Sequence, residues 1–170
     1  MSSSSDFIYP NNGVPHSKTK VNSAPQADVQ NSRVKIKNAV ITSQENLTDD
    51  TFLLTVKLDN NEVLNSHAGQ YGTLKVEDLD KPRAFSFAKS PTSEKNGEFS
   101  FFIKQVPGGL FSEYLKENRT GQKIVLSGPM GQFKIDESNE DMICIAGGSG
   151  MSAINAIVEE AAYNKVKRNC

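Results

Sequence analysis

The chain is short of the residues that build metal and nucleophile sites. It has two cysteines, Cys144 and Cys170, and two histidines, His16 and His67, in 170 residues. A plant-type iron–sulfur cluster needs four cysteines at set spacing, so such a cluster would have to lie on another polypeptide or on further chain. Neither histidine has a second ligand-like residue at metal spacing, so both read as solvated and no metal site is expected. No Ser/His/Asp constellation is present either. The net charge of -1 gives no reason to expect nucleic acid or an anionic membrane as a partner. No apolar run approaches the roughly 20 residues that span a bilayer. The first residues lack the basic start and apolar core of a secretory signal and the Arg-rich pattern of a transit peptide, so a cytoplasmic location is expected. There is no internal repeat.

What is present fills one well-buried domain plus a fragment. Residues 1–32 are rich in Ser, Asn, Pro, Gln and Lys. They bury too little apolar surface to offset ordering entropy and read as a disordered tail. From Arg33 the pattern changes. Val34-Lys35-Ile36-Lys37 alternates apolar with charged and continues through Val40-Ile41 as a half-buried strand. A polar turn at Asn46–Asp50 leads to a second strand, Thr51–Leu58. Further strands are expected at Tyr71–Val76, Arg83–Ala88, Glu98–Lys104 (after the turn signal Asn96-Gly97) and Lys123–Ser127. Six short strands with turn chemistry between them predict a mainly β fold built on a six-stranded antiparallel barrel over 33–135.

One helix interrupts the series. Leu110, Phe111, Tyr114 and Leu115 share a face at helical spacing, and the helix is expected to end near Asn118. The acidic stretch 136–141 reads as a solvated linker. Met142–Ala146 is a continuous apolar run, the pattern of a buried parallel strand, and makes Cys144 a small buried hydrophobe. Met151, Ile154, Ile157, Val158, Ala161 and Ala162 then form a helical stripe. Strand, glycine-rich turn and helix make the first β-α unit of an α/β nucleotide-binding domain, left incomplete over 142–170.

Four stretches carry the chemistry. In Arg83-Ala84-Phe85-Ser86, residues two apart share a strand face, so Arg83 and Phe85 point one way and Ala84 and Ser86 the other. A guanidinium makes forked contacts to phosphate, an aromatic ring packs on a flat heterocycle, and a serine hydrogen-bonds a ring nitrogen. The same residues also suit an ordinary strand with a surface arginine. In Pro107-Gly108-Gly109-Leu110-Phe111-Ser112, glycines allow close backbone approach and the following helix start favours an anion, with Ser112 as a further donor; a plain helix-capping turn has the same composition. Gly147-Gly148-Ser149-Gly150 follows an apolar run and opens a helix, the setting of a pyrophosphate-binding turn, although its spacing is a variant of the dinucleotide fingerprint. Ser127-Gly128-Pro129-Met130-Gly131-Gln132-Phe133 reads by itself as a rigid turn after the last strand.

In this order and at these intervals the four stretches resemble the ferredoxin–NADP reductase superfamily, with its FR-type FAD-binding domain. The nearest likeness is to the reductase components of bacterial multicomponent oxygenases. The resemblance runs from about Arg33 to Val166. It implies that Arg83 contacts the FAD pyrophosphate and that Phe85 packs on the flavin, where the family more often has tyrosine. It implies that Ser86, the catalytic position, hydrogen-bonds near flavin N5. Gly108, Gly109 and Ser112 would hold the FAD phosphates, and Gly147, Gly148, Ser149 and Gly150 would meet NAD(P)H. Ala153 stands where the family usually has proline, and Lys89 where it often has a small polar residue. The implied activity is electron transfer from NAD(P)H through FAD to an iron–sulfur protein or oxygenase component.

The resemblance also implies that the strands completing the nucleotide site lie beyond residue 170. The chain is then expected to be a fragment or a truncated product that binds FAD and turns over NADH poorly, with an apolar face over 142–166 that promotes association. Two other readings stay open here. One is the electron-transfer subunit of another flavoenzyme, such as the one paired with dihydroorotate dehydrogenase. The other is a cofactor-free barrel that serves as an interaction module.

Overall fold

The computed structural model describes residues 34–94, 97–135, 138 and 140–165. The expected tail at 1–32 lies outside the described residues, as do positions 136, 137 and 139 of the expected linker. Six strands form one antiparallel sheet: β1 (Lys35–Thr48), β2 (Thr51–Leu58), β3 (Tyr71–Lys75), β4 (Arg83–Ser86), β5 (Glu98–Lys104) and β6 (Lys123–Met130). Their order is β4-β3-β6-β1-β2-β5. The two edge strands, β4 and β5, come round to face each other. Just past β4 the Ala88 N–H donates to the Ser100 carbonyl of β5 at 2.7 Å, and the Phe85 ring meets Phe101 edge-on at 6.5 Å. The sheet is thus a nearly closed barrel.

Alternation explains why it closes inward. Phe52, Leu54, Val56 and Leu58 on β2, and Phe99, Phe101 and Ile103 on β5, all point to the interior with Ile41, Leu74 and Leu126. Leu54, Ile41 and Phe101 are fully buried. Truncating one of them, as in Leu54→Ala, costs about 2–5 kcal/mol through lost contacts and the cavity left behind.

β1 runs on past Ile41 through Asn46–Thr48, into the expected polar turn, because Asn46 and Thr48 pair with Phe52 and Thr51, so that only Asp49-Asp50 turn; β2 and β5 match their expected bounds end to end. β6 does not. It runs three residues beyond Ser127, through Gly128-Pro129-Met130, a stretch whose composition reads as a turn. Pairing with β1 stops at Gly128, and pairing with β3 shifts between Tyr71 and Thr73. Pro129 therefore sits in a bulge, where its missing N–H costs no ladder bond.

Between β5 and β6 lies a short helix, α1 (Leu110–Tyr114), which ends well before Asn118. Phe111 and Leu115 close the barrel, whereas Leu110, the first helical residue, is exposed. A second helix, α2 (Met151–Tyr163), follows a single 3-10 turn at Gly148–Gly150. It buries Ser152, Ala153, Ala156, Ile157 and Ala161, and leaves Met151 and Val158 exposed. The buried stripe is thus rotated from the expected one. Small residues face inward because α2 packs closely on the barrel side, where Ala156 and Ile157 meet Ala68.

Met142–Ala146 is not a strand here. It has no ladder partner among the described residues, and a parallel strand exists only when paired. Ile143 and Ile145 are consequently 87% and 85% exposed, and Cys144 is half-exposed, not buried. Among the described residues no helix is long and apolar enough to cross a membrane.

Candidate functional site

The site grows from the two ends of the barrel seam. β4 is a four-residue strand paired with β3, Leu74 opposite Arg83 and Tyr71 opposite Ser86. Its alternation turns Phe85 inward, where the ring lies 5.2 Å from that of Phe111 and rests against the core. Arg83 follows Phe85 to the same side. Across the seam, β5 runs out at Lys104 into Gln105-Val106-Pro107-Gly108-Gly109, and the chain turns into α1.

That turn is held by its own bonds. The Gly109 N–H donates to the Val106 carbonyl at 2.8 Å, and the Glu113 N–H to the Gly109 carbonyl at 2.8 Å. Ser112, 5% exposed, ties the loop from within: its Oγ accepts from the Val106 N–H (3.1 Å) and lies 2.9 Å from the carbonyls of Val106 and of Gly109. A hydroxyl has one proton, so it serves those two carbonyls in turn. Each glycine has a definite reason. Gly108 has φ +74°, the left-handed region. Gly109 has an ordinary φ, but a Cβ there would stand 2.9 Å from Ser112 Oγ and 3.0 Å from the Val106 carbonyl oxygen.

β4 and the turn flank a half-open cavity of about 210 Å³ lined by Arg83, Phe85, Lys104, Gly109, Phe111 and Ser112 together with Ile103 and Val106. Among the described residues Arg83 makes no ion pair; its Nη1 donates to the Pro82 carbonyl at 3.3 Å. Lys104, in contrast, pairs with Asp50 at 3.1 Å. The Lys104 ammonium, with the hydroxyls of Thr48 and Thr51, holds the Asp50 carboxyl below its ordinary range. The first N–H groups of α1 have no intrahelical acceptor. At five residues α1 adds little dipole, so its contribution is these local donors. The cavity therefore joins a cation free of carboxylates, N–H donors and an aromatic wall. That set suits an anionic diphosphate beside a flat apolar ring. The volume is below the roughly 300 Å³ at which small-molecule pockets begin, so there is room here for only part of a larger ligand.

Of the residues singled out by sequence, the structure brings Arg83, Phe85, Gly109 and Ser112 to one cavity. Ser86 is on the opposite strand face, half-buried beside Tyr71. Gly108 is at the turn but does not line the cavity. Gly147, Gly148, Ser149 and Gly150 do not line the cavity and are exposed, with the Gly148–Gly150 turn beside β5. The Gly150 N–H donates to the Gly147 carbonyl at 3.1 Å, and no atom stands within 4 Å of a Cβ built on any of the three glycines. Lys104 was not singled out. Its signal is positional: it is the last residue of β5, next to the glycine turn.

The profile of a domain family described as oxidoreductase FAD-binding domain matches residues 38–135. The chain is 34% identical over 125 residues to the toluate 1,2-dioxygenase electron transfer component of Pseudomonas putida, covering 73% of this chain and 36% of that protein. It is 32% identical over 133 residues to the xylene/toluene monooxygenase electron transfer component of the same organism, covering 78% and 37%. Among solved structures, the ferredoxin reductase in carbazole 1,9a-dioxygenase superposes with a TM-score of 0.69 at 32% identity, covering 76% of this chain and 39% of that one. The chain thus spans little more than a third of the length of the curated relatives it matches.

Proposed function

The chain belongs to the oxidoreductase FAD-binding domain family, and from that membership we propose that it seats FAD at the seam cavity and serves electron transfer from NAD(P)H to an iron–sulfur protein or oxygenase component. We place residues 33–135 as the FAD-binding barrel, 136–141 as a linker and 142–170 as the start of an NAD(P)-binding domain, in the cytoplasm, where NAD(P)H is at hand. The matched relatives, named as electron transfer components of oxygenases, support the partner class.

The observation that carries the reading is the shared cavity of Arg83, Phe85 and Gly109. Arg83 neutralises and orients the diphosphate through a charge-assisted fork. The backbone N–H groups after Gly109 complete the cradle. Because the Ser112 hydroxyl is engaged inside the turn, Ser112 acts through its backbone N–H and by holding the loop in shape. Phe85 offers the apolar surface for the ring; Ser86 lies on the strand's other face, outside the cavity, and its role near flavin N5 would rest on the family likeness alone. Bound FAD would supply the hydride and single-electron redox chemistry. The Gly147–Gly150 turn offers backbone donors and open space to the nicotinamide dinucleotide. No side chain here has to act as acid, base or nucleophile.

FAD titration of the purified chain tests the proposal. A yellow, stoichiometric complex that dithionite bleaches anaerobically, and NADH only poorly, is expected. A colourless chain that rejects added FAD refutes it and leaves the cofactor-free interaction module.

A further inference from the structure

Helix α2 is fastened to the barrel by hydrogen bonds that neither the cavity nor the glycine turn uses. Asn155 Nδ2 donates to the Ala88 carbonyl at 2.7 Å. Glu159, one helical turn on and so on the same face, accepts from the Ser90 N–H at 2.9 Å and from the Ser93 hydroxyl at 3.0 Å. Asn155 Nδ2 also reaches Glu159 Oε1 at 3.4 Å. At the rim, the Thr92 hydroxyl donates to Glu160 at 3.2 Å. The receiving segment is rigid: Ala88 and Ser90 are fully buried, and the Ala88 N–H is held by β5.

The two anchors are close in sequence to the two halves of the proposed site. Ala88 is two residues beyond Ser86, the end of β4. Asn155 is five residues beyond Gly150, the end of the glycine turn. One hydrogen bond therefore links the segment just past the strand of Arg83, Phe85 and Ser86 to the helix that follows Gly147–Gly150. Hydride transfer demands reacting atoms within about 3–3.5 Å, and a misplacement of about 1 Å costs on the order of 100-fold. The apolar contact beside the latch, Ala156 and Ile157 on Ala68 with Ile135 and Met142 against them, is made mostly of small side chains, whereas the hydrogen bonds are directional and fix one register.

We infer that Asn155 and Glu159 are positioning residues that register the Gly147–Gly150 turn against the Arg83–Ser86 strand. The inference rests on the reading of those two segments as the nucleotide and flavin sides of one site.

The test uses the FAD-loaded full chain with Cys144→Ser and Cys170→Ser, and spin labels on cysteines introduced at the exposed positions Leu47 and Val158. Pulsed-EPR distances are measured in this background, in Glu159→Gln, whose amide oxygen still accepts from Ser90 and Ser93, and in Asn155→Leu/Glu159→Leu. The background and Glu159→Gln should give the same narrow distribution, and the double variant a broad one with FAD bound as before. An equally narrow distribution in the double variant overturns the inference. In single-turnover mixing, the limiting rate of FAD reduction by NADH should fall about tenfold or more in the double variant, with half-saturating NADH changing less than about threefold. An unchanged limiting rate also overturns it. If NADH reduces FAD in the unaltered chain too slowly to read, the label distances alone decide the latch; a chain that takes up no FAD puts the functional reading above at fault.

Discussion

Glu94 gives the fold a pH dependence that one substitution removes. Its Oε1 accepts the Ser100 N–H at 2.8 Å, while Oε2 is shielded from solvent with no partner among the described residues. Burial pushes the carboxyl up to about 8 from an ordinary 4.5; the Ser100 N–H and Lys89 oppose the rise, and Glu159 and Glu98 add to it. Below pH 4.5 folded and unfolded chains both carry the proton, and Glu94 is neutral toward stability. Between 4.5 and 8 the unfolded chain releases the proton and the folded chain keeps it, so stability falls with rising pH and levels off above 8. Each pH unit in that window costs about 1.4 kcal/mol, which makes about 3 kcal/mol at pH 7. Glu94→Gln keeps an oxygen for Ser100 and never ionises. Urea unfolding should show wild type and variant alike at pH 4.5, with the variant more stable by about 3 kcal/mol at pH 7, a midpoint shift of about 1–3 M. Curves that run parallel from pH 4.5 to 7 would refute the assignment of a protonated Glu94.

Gly109→Ala forces a methyl group against Ser112 Oγ and the Val106 carbonyl; it should cost about 1–3 kcal/mol in denaturant unfolding and weaken FAD binding. Ser112→Ala removes the hydroxyl that ties the turn and should cost about 1–3 kcal/mol of stability; a loss of FAD affinity at unchanged stability would instead mean that the hydroxyl reaches FAD. Ile143→Lys/Ile145→Lys should abolish any self-association seen by size-exclusion with light scattering, since these two side chains dominate the exposed apolar surface of 142–146. Limited proteolysis should cut first near 136–141 and leave the barrel intact; a first cut inside 34–135 would contradict this.

Local pattern carried the barrel. TFLLTVKL and EFSFFIK are β-rich apolar stretches bounded by turn residues, and β2 and β5 are bounded correctly without tertiary knowledge. Where neighbours decide, the pattern misleads. Gly128-Pro129 has turn composition, yet β3 and β1 recruit it into β6 at a bulge. Met142–Ala146 has the composition of a buried strand but no partner to pair with. The stripe on α2 is rotated because hydropathy favours Met151 and Val158, whereas close approach to the barrel selects Ser152, Ala153 and Ala156. The site divides the same way. Strand alternation alone places Arg83 with Phe85. Their meeting with Gly109 depends on barrel closure, which brings β4 beside β5, and no local signal encodes it. Asn155 and Glu159 are polar residues on an amphipathic helix, indistinguishable by sequence from its solvated face.

The central claim is that Arg83 and the Gly108–Gly109 turn read a diphosphate. It is tested most directly by comparing FAD with riboflavin, which lacks the phosphates, in wild type and Arg83→Leu by equilibrium fluorescence titration. A charge-assisted hydrogen bond contributes about 1.5–3 kcal/mol, so Arg83→Leu should weaken FAD binding by about 10- to 150-fold and leave riboflavin affinity unchanged. Equal losses for both ligands, or none for either, would contradict the account.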